Sequence, residues 1–300
     1  MSEAGSQARA DSADSADADC DVHSPQEIAQ ATARKGVKKA GLDTPVLSTL
    51  ALLAGIYIAF GSLFSTVALA GSDGGMPFGA GQVLAGVVFS LGLILVLVGG
   101  AELFTGNTLL VVAWAEGRAG FSPILMALGI AYMANLVGSI AIAVLAFAAD
   151  AHMAGDGAVG TQALKTAHAK AGLDFGTALA SGIAANMLVC LAVWLAFGAR
   201  SAADKVLVIV PPIAAFVAAG LEHSVANMSL IPFGWMVKEF ASPAFWAETM
   251  LDPAQYPALT VGGFITNLIP VTIGNVLGGF IVGGAYWFAY LRPRAQQAEA

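Results

Sequence analysis

The chain has 300 residues, 57% of them hydrophobic and 11% charged, with a formal net charge of −7. Soluble domains carry about one quarter charged residues, so this composition excludes an ordinary water-soluble globule. Much of the negative charge sits near the N-terminus and says little about substrates, and no nucleic-acid partner is expected.

In chain order, residues 1–30 open with "MSEAGSQARADSADSADADCDVHSP". They lack the apolar core and cleavage site of a signal peptide. Too little apolar surface is available there to offset ordering, so a disordered, solvated tail is expected. With a lead-in helix it fills residues 1–45. Apolar runs then recur at about 46–70, 82–115, 122–149, 176–198, 206–237 and 258–291. Each is long enough to cross a hydrocarbon core of roughly 30 Å. The expectation is an all-α membrane protein with six transmembrane helices over 46–291 and a short tail at 292–300.

The second run, Gln82 to Ala115, has Glu102 as its only charge. As one straight helix it would reach about 50 Å, more than tilt comfortably absorbs. Interruption by non-helical backbone is expected, and a membrane tolerates that only inside protein or along a polar cavity. The third run contains "ANLVGS" with Asn135. Residues 150–175 read as a solvated loop holding His152, Lys165, His168 and Lys170. In the fourth run Cys190 reads as a small packing residue, badly placed to pair with Cys20 of the tail. The fifth run repeats the excess length and adds Pro211, Pro212, Gly220, Pro232 and Gly234. The sixth carries "GNVLGG" with Asn275.

The two interruptions share a spelling. "ELFTGN" runs from Glu102 to Asn107 and "EHSVAN" from Glu222 to Asn227, each Glu, four residues, then Asn. With Asn135 echoed by Asn275, this suggests two three-span halves, the second inserted upside down. Such inverted repeats bring broken helices together at the midplane to form a substrate site.

A charge at the bilayer centre costs from about 3 kcal/mol to above 10. Glu102 and Glu222 read as structural acceptors for orphan N–H groups at helix starts. His223 sits in the second break beside Ser224 and Asn227, and imidazole changes charge near neutral pH; a pore-lining role is expected. No nucleotide, zinc-protease or nucleophile motif occurs, so no cofactor, metal or enzymatic activity is expected. Glu222 and His223, being adjacent, point apart. A membrane-embedded enzyme using them as an acid–base pair, or a scaffold using the tail, are the readings from other classes.

Cytoplasmic N- and C-termini put ten basic residues inside, among them Arg34, Lys35, Lys38, Lys39 and Arg118, and three outside: Lys165, Lys170 and Lys238. Lys and Arg favour the cytoplasmic side, which makes this a multi-pass protein of the cell (inner) membrane.

"FSLGLILVLVGGAELFTGN", "SGIAANMLVCLAVW", "FVAAGLEHSVANM" and "NLIPVTIGN" closely resemble the formate/nitrite transporter family, in particular its formate-channel branch, over roughly residues 40–292. The resemblance implies an aquaporin-like six-helix fold in a homopentamer with one pore per protomer. It implies a mobile "LFTGN" loop with Thr105 at the pore and Leu103 and Phe104 as an apolar constriction. Phe89, Val189 and Phe216, with Leu93 nearby, would line a second. His223 would be the central pore histidine, with Asn227 and Asn186 as polar lining and Lys170 drawing anions inward. Three features depart from the family pattern: the acidic tail, Gly106 where serine is common, and "FITNLIP", one residue short.

An anion at an apolar slit faces a desolvation penalty, which a weak acid escapes by taking up a proton. The implied partners are formate, a proton and the lipid bilayer, with His223 as donor or relay. Nitrite is the main rival substrate, followed by hydrosulfide, acetate and lactate.

Overall fold

A computed structural model describes residues 22–72 and 75–292, and among them the regular structure is helical throughout. Helix α1, Pro25–Ala40, starts on a capping box: Glu27 N–H donates to Ser24 Oγ, and the Glu27 carboxylate accepts from Ser24 N–H. Pro25 suits the first turn, where its missing N–H costs nothing. Helical order thus begins at residue 25, ahead of the expected boundary at 30. The physical reason is that Ile28, Ala29 and Ala33 bury against Val111, Val112 and Trp194. Arg9, Cys20 and most of the expected tail lie outside the described residues.

Helices α2, Thr44–Leu69, and α3, Phe78–Gly99, follow. The chain then leaves the helix and resumes as α4, Phe104–Asn107, a tight turn at Thr108–Leu110, and α5, Val111–Ala115. Helix α6 spans Phe121–Ala148. The same order recurs: α7, Ala158–Ala171; α8, Phe175–Gly198; α9, Ala202–Ala218; a non-helical stretch; α10, Ser224–Phe240. A short α11, Pro243–Thr249, leads to α12, Val261–Tyr290. Five of these helices, α2, α3, α6, α8 and α12, are long and apolar enough to cross a membrane.

What ends α3 and α9 is glycine. Gly100 has φ +82° and Gly220 φ +67°, a left-handed conformation that a side chain would strain. Pro211, Pro212 and Pro232, read from sequence as part of the fifth-run interruption, lie inside α9 and α10. Neighbouring helices can re-satisfy the carbonyls such prolines free.

Residues 150–175 are not a solvated loop. They contain α7, which packs on α10, and His152 is buried with its ring stacked 4.7 Å from that of Phe147. The outer surface is apolar: Ile265, Ile269, Ile273, Leu277 and Ile281 stand exposed every four residues along α12. Polar side chains of the spans, Asn135, Asn186, Asn267 and Asn275 among them, are buried.

Candidate pore site

Asparagines anchor the two non-helical stretches. Asn135 of α6 accepts from Phe104 N–H at 2.9 Å and donates to Glu102 O at 3.1 Å and Ala51 O at 2.6 Å. Asn275 of α12 accepts from Ser224 N–H at 2.9 Å and donates to Glu222 O at 3.0 Å and Gly182 O at 2.8 Å. Each amide supplies both the donor and the acceptor that an interrupted backbone needs.

This corrects the role expected of the glutamates. Among the described residues their carboxylates accept from side chains, not from orphan backbone N–H groups. Glu102 Oε2 accepts from Asn107 Nδ2 and Lys39 Nζ, both at 2.9 Å, and Lys39 Nζ also donates to Asn107 Oδ1. Glu222 Oε1 accepts from Lys170 Nζ at 2.6 Å, and Oε2 accepts from Asn227 Nδ2 at 2.6 Å and Asn267 Nδ2 at 3.3 Å. A short amide–carboxylate distance is typical of a charge-assisted bond. The asparagines hold the backbone; the glutamates hold lysine and asparagine.

Lys39 and Asn267 escaped the sequence reading. A signal for Lys39 was present, since "KAGLD" occurs at 39–43 and again at 170–174. Both copies end a helix and cap the next, with Asp43 and Asp174 at the N-caps of α2 and α8.

His223 stands between the networks as the N-cap of α10. Its Nδ1 accepts from Ala226 N–H at 3.1 Å and its Nε2 lies 2.8 Å from Thr105 Oγ1. An amide only donates, so Nδ1 carries no hydrogen and the neutral ring holds its proton on Nε2. Nε2–H therefore donates to Thr105, whose own hydroxyl hydrogen is free for another acceptor. Both side chains are buried.

The Thr105 carbonyl is fixed in turn. It accepts from Thr108 Oγ1 at 2.6 Å and Asn186 Nδ2 at 3.2 Å, with Cys190 Sγ at 3.7 Å. Asn186 also donates to Thr108 Oγ1 and Asn275 O. Expected as polar pore lining, Asn186 instead spends its amide hydrogens on protein, because the loop it faces carries the unsatisfied acceptors. Cys190 touches the same loop, a closer involvement than simple packing.

Next to His223 is an apolar gap of about 10 Å³ bordered by Phe89, Leu93, Leu103, Val189 and Phe216. That is room for about one water. The Phe89 and Phe216 rings meet edge-on at 5.4 Å between centroids. Leu103 joins this gap, whereas Phe104 packs its ring on Tyr132 at 4.9 Å. The two were expected to form one separate constriction; Leu103 has extended backbone, where successive side chains point to opposite sides. On the Lys170 side a cavity of about 340 Å³ opens onto the same Phe89, Phe216 and His223. A smaller one, about 20 Å³, lies at Lys39 and Asn107.

A family model described as "Formate/nitrite transporter" matches residues 26–288. The chain is 43% identical over 279 residues to the formate channel FocA of Escherichia coli (strain K12), covering 92% of this chain and 98% of that one. It is 38% identical over 244 residues to FocA of Haemophilus influenzae, covering 81% and 86%. Among solved structures, a pentameric formate channel with formate bound superposes with TM-score 0.78 at 42% identity, over 83% of this chain and 98% of the other.

Proposed function

The chain belongs to the formate/nitrite transporter family, and we propose that it is a formate channel, a homopentamer with one pore in each protomer. It is a membrane protein and a conduit, not an enzyme. We read Phe78–Ala115 and Ala202–Phe240 as the second and fifth of six spans, each broken in the middle, in an aquaporin-like inverted repeat. The channel domain is 46–291. The termini are cytoplasmic and the membrane is the cell's inner membrane, a reading supported by the basic-residue bias. The Lys170 cavity then faces outward.

One observation carries the mechanism: the buried contact between His223 Nε2 and Thr105 Oγ1 sits beside an apolar gap with room for about one water, which the substrate must widen to pass. An unpaired carboxylate in such a gap loses its hydration without replacement, at a cost that neutral formic acid largely avoids. Formate entering from the Lys170 cavity accepts the free Thr105 hydroxyl hydrogen. His223 relays the proton. It gains one at Nδ1 from hydronium in the cavity and releases the one at Nε2 through Thr105, whose oxygen passes its own hydrogen to the carboxylate. Protonation at Nδ1 displaces the Ala226 amide, so the first turn of α10 loosens until the ring resets. The ring resets by exchanging protons with cavity water, after which Nδ1 again accepts from Ala226. Asn227 lines the approach, and Asn186, Thr108 and Asn275 keep Thr105 facing the histidine.

The test is flux of labelled formate and of nitrite into sealed proteoliposomes. Saturable formate flux is expected. Flux of nitrite with none of formate would keep the family and overturn the substrate.

A further inference from the structure

We propose that Gln162 and Thr166 form a carboxylate-binding subsite on α7, upstream of Lys170, that loads the pore. It rests on the formate reading above. Residues 162, 166 and 170 are spaced i, i+4 and i+8, which puts them in one row on a helix. All three border the 340 Å³ cavity whose inner end is Phe89, Phe216 and His223. The row is about 12 Å long at 1.5 Å per residue.

The chemistry of the row is that of hydrogen-bond donors. Gln162 Nε2 donates to Thr166 Oγ1 at 2.9 Å. That occupies a lone pair of the hydroxyl and leaves its hydrogen for an acceptor in the cavity; a second Nε2 hydrogen adds another donor. Lys170, in contrast, already holds Glu222 Oε1 at 2.6 Å. An anion meeting Lys170 alone finds an ammonium compensated by a carboxylate. One turn earlier it finds two donors and no competing acid. Among the described residues bordering the cavity Glu222 is the only carboxylate, and its oxygens are engaged by Lys170, Asn227 and Asn267. A small carboxylate held with one oxygen on the Thr166 hydroxyl has its other oxygen turned toward Lys170, a single helical turn away. The subsite raises occupancy where the ammonium by itself attracts weakly.

The experiment compares formate uptake into proteoliposomes carrying wild type, Thr166→Val and Thr166→Ser as formate is varied at fixed pH, each protein first checked for pentameric elution. Thr166→Val should raise the half-saturating formate concentration by about fivefold, as for loss of one hydrogen bond, with limiting flux kept. Thr166→Ser, which retains the hydroxyl, should match wild type. A valine variant with unshifted half-saturation, or serine and valine variants shifted alike, would overturn the subsite. Wild-type vesicles that pass no formate would instead remove the reading beneath it, a result distinct from an unshifted valine variant.

Discussion

Removing either lysine strands a buried carboxylate, and the two sites should differ in cost. The Lys170 and Glu222 side chains are 16% and 3% exposed; those of Lys39 and Glu102 are 26% and 8% exposed. Breaking a fully buried ion pair from one side costs about 3–5 kcal/mol, since the partner charge is left without compensation. An exposed pair is worth about 0–1 kcal/mol. Lys170→Met belongs near the upper range, at about 3 kcal/mol. Lys39→Met, with a quarter of its side chain in solvent, belongs nearer ~1–2 kcal/mol after screening. The informative variant is the rescue. In Lys170→Met/Glu222→Gln the charge is gone while an oxygen still accepts from Asn227, so most of the loss should return. Thermal dissociation of the proposed pentamer in detergent, followed by tryptophan fluorescence and size exclusion, reads the order. If Lys170→Met cost no more than Lys39→Met, or Glu222→Gln failed to restore the midpoint, the stranded-charge explanation would be refuted.

Other substitutions probe other parts of the site. Asn275→Leu orphans Ser224 N–H and Glu222 O, buried groups worth about 1–3 kcal/mol each when unpaired; loss of assembled pentamer is expected, and Asn135→Leu should act likewise through Phe104 N–H and Glu102 O. A Cβ at Gly279 would collide with the Thr108 hydroxyl and crowd Asn186 Nδ2, so Gly279→Ala should push Thr105 away from His223 and lower formate flux in an intact pentamer. His152 lies outside the spans, and burial pushes its imidazole below the ordinary range, opposed by Asp150. The unfolded chain therefore binds the proton more readily: stability is present above pH ~6.5 and lost as pH falls below it. His152→Phe should flatten the dependence of the dissociation midpoint between pH 7.5 and 5; an unchanged slope would assign it elsewhere.

Much of this architecture was legible because a membrane constrains it so strongly. Excess length in the 82–115 and 206–237 runs and the paired Glu-x4-Asn spellings pointed to the stretches where the chain leaves the helix. His223 was conspicuous as the imidazole of an otherwise apolar run. Division of labour was harder to read. Glutamate and asparagine both serve as acceptors, and only geometry assigns the backbone to Asn135 and Asn275 and the lysines to Glu102 and Glu222. Lys39 looked like one of several basic residues in the cytoplasmic lead-in; its partner Asn107 is 68 residues away. A place in the loop between two apolar runs suggests solvation for His152, whereas its ring stacks on Phe147 of the preceding helix α6. The family resemblance implies one constriction for Leu103 and Phe104, whereas the extended backbone at Leu103 sends the two side chains apart.

The central claim is that His223 relays a proton to formate at the slit. Formate uptake into sealed proteoliposomes across an imposed pH step, wild type against His223→Asn, tests it most directly. Acid on the Lys170 side should accelerate wild-type uptake, and the asparagine variant should lose that acceleration while still assembling. Equal uptake by both proteins at every pH would contradict the relay and leave His223 as a residue that only shapes the pore.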